Sequence, residues 1–214
     1  MADWTTISSL ATAGGTLALA AATYTAVRSS NRSARIAERS VQINMRPVLV
    51  SSRFEDPPDK IGWIDNHWAR VPGAGAHAEV ADGNIYLAMS LRNVGNGIAV
   101  LQGWDPTAEQ LDLARARQAT HADPDTFHRQ SRDLYIPPGD IGLWQGAIRD
   151  RDDAAYVPVL RAVESRERFT IDLLYSDHEG GQRAISRFGI SPRPDADWTC
   201  VVARIWNLDR VDPR

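Results

Sequence analysis

The sequence contains a single cysteine, Cys200, among its 214 residues. One cysteine excludes an intramolecular disulfide framework and a zinc site built from several cysteines. Lysine is nearly absent as well, because Lys60 is the one lysine and the other 23 basic residues are arginines. With 27 acidic residues the formal net charge is −3. The chain therefore lacks the basic surplus that is typical of nucleic-acid-binding domains.

Charge is missing from the amino-terminal segment, where no charged residue occurs between Thr5 and Val27. About 20 such residues can cross a bilayer as a helix, so we predict a transmembrane helix at 5–27 after a short tail at 1–4. Alanine, threonine, serine and glycine dominate this segment. A helix packed in a protein core or an oligomer is therefore the alternative. A cleaved signal peptide is disfavoured, because residues 1–4 contain no lysine or arginine.

A basic segment follows and predicts the orientation of this helix. Residues 28–46 contain neither glycine nor proline, which indicates a basic juxtamembrane helix that ends at Arg46-Pro47. The positively charged flank of a span stays on the cytoplasmic side, so the amino terminus is predicted outside and the carboxy-terminal domain in the cytoplasm of a single-pass protein. Four arginines are candidates for contact with anionic lipids: Arg28, Arg32, Arg35 and Arg39.

Small residues recur at every fourth position of the predicted transmembrane helix. Such a stripe allows two helices to approach closely, which makes a homodimer contact a hypothesis for this segment. The residues of the stripe are Gly14, Ala18, Ala22 and Ala26.

After Pro47 the apolar residues recur with a period of two, which predicts a domain of short strands over 47–208, followed by a polar tail at 209–214. A helical insertion is predicted at 106–119, because Asp105-Pro106 is a favourable helix start. The stretch 72–83 is predicted to be a flexible loop, and 98–104 to pair with 85–92 across the turn at 93–97. The fold class is therefore mainly β, and the even strand spacing predicts an immunoglobulin-like antiparallel β-sandwich. Strands are predicted at 48–54, 62–71, 85–92, 98–104, 133–136, 141–145, 169–175, 183–190 and 198–206.

Four sequence motifs carry a resemblance to a known group of proteins. They read QINMRPVLV, LRNVGNGIA, YIPPGD and FTIDLLYSDHEGGQRAISRF. Together with the amino-terminal segment, they resemble single-span membrane-anchored proteins of high-GC Gram-positive bacteria. The resemblance implies an immunoglobulin-like soluble part and brings no catalytic residues with it.

Three motifs were weighed as chemical sites. Asp177, His178 and Glu179 form the densest acid and histidine cluster and define the alternative of a membrane-tethered hydrolase, although adjacent loop residues point in different directions. His121, Asp123 and His128 match no metal-ligand spacing, and His67 and His77 lie far from them in sequence. The run Gly73 to Ala78 fits G-x-G-x-x-A without the strand and helix that dinucleotide binding needs. We therefore predict no catalytic residue, metal or cofactor.

The remaining prediction is a partner-binding surface on a non-enzymatic binding or scaffolding module. Trp63 and Trp68 flank a polar Asp-Asn-His run, and aromatic residues at a surface can stack on a ligand or peptide. The candidate surface residues are Trp63, His67, Trp68, Asn96 and His178. A further alternative is a soluble subunit whose alanine-rich helix mediates oligomerisation.

Overall fold

The computed structural model describes residues 4–108, 120–194 and 197–209, and it describes the backbone alone for residues 4–12, 39 and 42–44. The chain divides into one unit that ends at Asn44 and a second that begins at Met45. The described residues are mainly β, with antiparallel pairing throughout and two α-helices. The predicted mainly-β class with an amino-terminal helix is confirmed.

Helix α1 runs from Trp4 to Asn44, so it covers the predicted helix at 5–27 and the predicted helix at 28–46 up to residue 44. In the described part of the chain, however, no helix combines the length and the apolar character that a bilayer crossing requires. The transmembrane helix predicted at 5–27 is thus not found among the residues that the structure describes. The orientation, the lipid contacts and the homodimer contact stay predictions.

The described residues of the second unit form twelve strands and one α-helix. Helix α2 spans Tyr156–Glu164 and was not predicted. The strands are β1 (Leu49–Ser51), β2 (Asp59–Gly62), β3 (Trp68–Val71), β4 (Gly75–Ala81), β5 (Asn84–Asn93), β6 (Ala99–Thr107), β7 (His128–Arg129), β8 (Tyr135–Ile136), β9 (Ile141–Ile148), β10 (Phe169–Ser176), β11 (Ala184–Pro192) and β12 (Trp198–Asn207).

Ten of these strands form one antiparallel sheet in the order β1-β5-β4-β12-β11-β10-β6-β7, with β9 also paired to β5 and β8 to β6. Strand β9 covers residues 85–92 of β5, so β1 and β4 share the opposite edge of β5. The predicted hairpin between 85–92 and 98–104 is wrong, because β6 pairs with β10 and not with β5. The chain crosses to another part of the sheet at Asn93 to Gly97.

The predicted flexible loop at 72–83 is wrong, because Gly75–Ala81 forms strand β4. Ala76 and Ala78 are buried, and His77 and Glu79 alternate with them on the other face. A Cβ on Gly75 would lie 2.5 Å from Pro72 Cγ, so this glycine permits a tight approach of the chain and is no sign of flexibility. The alanines and glycines of this stretch are small because the strand is closely packed.

The predicted helical insertion at 106–119 is also corrected where it can be compared. Residues 106 and 107 belong to β6, since Pro106 and Thr107 pair with β10. Residues 109–119 lie outside the described part of the chain. Residues 121–132, which precede the predicted strand at 133–136, contain a short 3-10 turn at Pro124–Thr126 and strand β7.

The main core lies between two parts of the large sheet. Trp104 of β6 and Trp144 of β9 meet edge to face, with ring centroids 5.3 Å apart, although their strands are not neighbours in the sheet. A second, smaller core forms where the β2–β3 hairpin packs on strand β5, and it contains Ile61, Trp63, Val71, Tyr86 and Ala88. Trp63 and Tyr86 of this smaller core contact the histidines of the candidate site.

Candidate metal centre

Strand β4 supplies two of the three site residues. Successive side chains of a strand point to opposite faces, so His77 and Glu79 share one face. His77 lies opposite Ala88 of β5, and Glu79 lies opposite Tyr86. The β2–β3 hairpin packs on this face of the sheet.

The hairpin supplies the third residue, His67, from the turn that joins β2 to β3. The Trp63 backbone N–H donates to the His67 carbonyl at 2.9 Å, and Asn66 adopts a left-handed conformation with φ 61°. Asparagine tolerates this conformation better than most residues. The Trp63 indole N–H donates to the Gly146 carbonyl of β9 at 3.0 Å, which fixes the turn onto the sheet.

Three potential ligand atoms converge at the junction of the turn and β4. Glu79 Oε2 lies 3.2 Å from His67 Nε2 and 3.2 Å from His77 Nε2. One ligand atom from each residue lies within 4.8 Å of the others, and within the described residues this is the one such group of three or more. Two imidazoles and one carboxylate are a ligand set of catalytic zinc sites and of other transition-metal sites.

The electrostatics of His77 favour the neutral form that binds metals. Burial lowers the pKa of His77 and outweighs the opposing effect of Glu79. His77 Nε2 is buried and has no hydrogen-bond partner in the described structure, so its 3.2 Å contact with Glu79 lacks hydrogen-bond alignment. An unpaired buried nitrogen is unfavourable, and a cation between the three residues would satisfy it.

Aromatic rings hold the imidazoles in place. The His67 ring stacks on Tyr86 with centroids 4.0 Å apart, and the Trp63 ring lies 5.4 Å from His67 and 5.9 Å from His77. The Tyr86 hydroxyl donates to Asp65 at 2.6 Å. The positions of the two imidazoles are thereby set by the packing of the small core.

Asp65 carries a fixed negative charge beside this cluster. Burial raises the pKa of the Asp65 carboxyl, but hydrogen bonds from Tyr86 and Arg149 lower it overall. Arg149 Nη2 donates to Asp65 at 3.0 Å. Burial and the contact with Asp65 in turn raise the pKa of Tyr86. The Asp65 carboxylate is therefore occupied by two donors.

The five predicted partner-binding residues fall into three places. Trp63 is 6% exposed and belongs to the small core, in contact with His67. Trp68 lies on β3 of the same hairpin and is 57% exposed. Lys60 Nζ lies 4.6 Å from the centroid of its ring. Asn96 and His178 are exposed in two other connections, between β5 and β6 and between β10 and β11.

The loop 177–179, which defines the hydrolase alternative, contains both buried and exposed residues. Asp177 is buried, whereas His178 and Glu179 are exposed. The Ser176 hydroxyl accepts from Gln102 at 2.9 Å and donates to the Asp177 carbonyl at 2.8 Å. The serine hydroxyl is thus buried and occupied by two partners, whereas His178 is exposed.

His121, Asp123 and His128, the other residues considered as metal ligands, each bond to a different partner. His128 Nε2 lies 2.6 Å from Asp153, while Asp123 accepts from the Asp125 N–H in the 3-10 turn. His121 Nδ1 lies 2.7 Å from the neighbouring Ala122 carbonyl. Each side chain has a local partner of its own.

Sequence reasoning missed the site because His77 and Glu79 fell in a predicted loop. The usable signal is the stretch Ala76-His77-Ala78-Glu79, because its alternation of alanines with polar residues is typical of a strand. The nine residues between His67 and His77 hold no such signal, because only the packing of the hairpin brings the two histidines together.

Comparison with known proteins places no relative beside this chain: no protein-family model, no curated protein and no solved structure matches it. The resemblance to single-span membrane-anchored bacterial proteins therefore stays a prediction.

Proposed function

We propose that this protein is a non-enzymatic binding module whose β unit binds a divalent transition-metal ion through His67, His77 and Glu79. The observation that carries the proposal is the convergence of three ligand atoms, one of which, His77 Nε2, is buried and unpaired in the described structure. Three protein ligands leave a fourth coordination position of a tetrahedral ion open. In this proposal a donor atom of a partner molecule takes that position.

Zinc is the cation that fits this set best. Metal–ligand bonds of about 2.0–2.1 Å in a tetrahedron separate the ligand atoms by about 3.3 Å. Both contacts of Glu79 Oε2 with the histidines are 3.2 Å, close to this separation. The two imidazole ligands also suit zinc better than calcium or magnesium, which prefer oxygen ligands.

The state of Asp65 favours binding over catalysis. A metal-dependent hydrolase needs a general base within reach of its metal-bound water. Asp65 is joined to the site through Tyr86, but it already accepts hydrogen bonds from Tyr86 and Arg149. The wider proposal is that the module is an immunoglobulin-like sandwich, which the packing of Trp104 against Trp144 between non-neighbouring strands supports.

Isothermal titration of the EDTA-treated protein with ZnCl₂ tests this function. We expect one equivalent to bind, and His77→Ala and Glu79→Gln each to weaken binding by at least about tenfold, since even outer-shell changes have effects of this size. His178→Ala is the matched control, because His178 is an exposed histidine on another loop. Unchanged zinc affinity in both site variants, or an equal loss in the control, would refute the proposal.

A further inference from the structure

A cleft of about 190 Å³ opens on the same face of the sheet as the candidate metal centre. It lies where β9 and the segment 129–132 meet the tip of the β2–β3 hairpin. The side chains that matter for its chemistry are Trp63, Trp104, Arg129, Arg132, Gln145 and Arg149.

Strand register separates the cleft from the metal centre. Ala88 of β5 lies opposite His77 on one side and opposite Gln145 on the other. Neighbouring strands are about 4.8 Å apart, so Gln145 lies roughly 10 Å from His77 across the sheet. Trp63 contacts the His77 ring and also lines the cleft. The two sites therefore border one tryptophan without sharing a polar residue.

The cleft carries an excess of positive charge. Within the described residues, neither Arg129 nor Arg132 takes part in an ion pair, and Arg149 pairs with Asp65. Arg132 Nη1 makes a long contact of 3.5 Å with the Gly62 carbonyl. Guanidinium groups bind carboxylates and phosphates through paired N–H donors. An anion is thus the complementary ligand.

Gln145 adds a second requirement. Its side chain is 8% exposed, and its Oε1 is buried without a hydrogen-bond partner in the described structure. Its Nε2 donates to Asp133, which sets the orientation of the amide and leaves Oε1 as the acceptor. A buried acceptor of this kind is unfavourable until it meets a donor. The residue lines the cleft, where a ligand can supply that donor.

We propose that the cleft binds a small organic anion, a carboxylate or phosphate with a hydroxyl group close to its charge. The anionic group pairs with Arg129 and Arg132, and the hydroxyl donates to Gln145 Oε1. The edges of Trp63 and Trp104 form the apolar walls. The volume lies below the roughly 300–1,000 Å³ of pockets for drug-sized ligands, so the ligand is small.

Calorimetric titration of the EDTA-treated protein with L-malate, succinate and glycerol 3-phosphate tests the proposal. Malate and succinate carry the same charge and differ by one hydroxyl, so we expect malate to bind about threefold to tenfold more tightly through Gln145. Glycerol 3-phosphate distinguishes a phosphate from a carboxylate ligand. The double variant Arg129→Gln/Arg132→Gln is expected to weaken binding of the preferred anion by about tenfold or more.

Two controls make the outcome decisive. Arg168→Gln changes an exposed arginine outside the cleft and should leave the affinity unchanged. His77→Ala should also leave it unchanged, and a loss in that variant would place the anion at the metal centre instead. The proposal is overturned by that loss, by an unaltered affinity in the arginine variant, or by the absence of binding of both malate and glycerol 3-phosphate at about 10 mM.

Discussion

Asn93, at the end of β5, makes a sharp test of how the β unit is held together. Its side chain is fully buried and forms four hydrogen bonds. Its Oδ1 accepts from the Val48 N–H at 3.1 Å and the Gly95 N–H at 3.0 Å. Its Nδ2 donates to the Gly97 carbonyl at 2.7 Å and the Ile136 carbonyl at 2.9 Å. One amide thus joins the segment before β1, the turn after β5 and strand β8.

The magnitude follows from these four bonds. Each contributes about 0.5–1.5 kcal/mol net, so Asn93→Ala should lower the free energy of unfolding by about 4 kcal/mol. In a domain of this size that corresponds to a fall of about 10 °C in Tm. Asn93→Asp keeps the shape of the side chain but turns an acceptor toward the Gly97 and Ile136 carbonyls. It should therefore destabilise the domain at least as much at neutral pH.

Urea unfolding followed by tryptophan fluorescence measures both variants. Asn96 is the control, because its side chain is exposed. Its hydrogen bond to the Arg46 carbonyl comes from the backbone N–H, which an alanine would keep. Asn96→Ala should change stability by less than about 0.5 kcal/mol. A loss below about 1 kcal/mol in Asn93→Ala would show that the four bonds do not hold the three segments as argued.

Two further predictions concern buried ionisable groups. Burial and the nearby Asp172 raise the pKa of Asp105 above its usual 3.8. The folded state therefore binds the Asp105 proton more tightly than the unfolded state does. The contribution of Asp105 to stability falls as the pH rises from about 3.8 through the raised pKa. Asp105→Asn should accordingly raise Tm at pH 7 and lose that advantage toward pH 4, and a Tm gain independent of pH in scanning calorimetry would contradict this. Cys200 is 1% exposed and burial raises its pKa to about 12, so its thiol should react with Ellman's reagent at pH 8 only after unfolding, whereas rapid reaction of the native protein would disprove the burial.

The clear strands could be predicted because their apolar residues alternate strictly. Residues 85–91 and 169–175 show this period and form β5 and β10. The pattern also implies that the polar positions of β10 face solvent, yet Asp172 is buried. Arg187 lies directly opposite on β11 and donates to both carboxylate oxygens at 2.7 Å. Such a cross-strand charge pair depends on register, which alternation within one strand does not encode.

The wrong pairing of 85–92 with 98–104 has a related cause. Asn93 to Gly97 has the composition of a two-strand turn, and such a composition predicts a hairpin. In the structure the glycines serve close packing instead. A Cβ on Gly97 would lie 1.7 Å from the Met45 carbonyl oxygen, and one on Gly95 would lie 2.2 Å from that of Arg46. These glycines allow the chain before β1 to pass close by, a long-range contact that local composition cannot reveal.

The candidate metal centre depends on a contact of the same long-range kind. His77 and Glu79 are fixed by the pairing of β4 with β5, whereas His67 reaches them only because the hairpin is fastened to the sheet. Trp63 bonds to Gly146 of β9, and Asp65 accepts from Tyr86 of β5 and from Arg149. These bonds hold the turn in the folded protein, so in the proposed site a metal ion would meet His67 already in position and would lose little affinity to ordering it. Trp63 and Asp65 would therefore support the affinity of that site, although neither supplies a ligand.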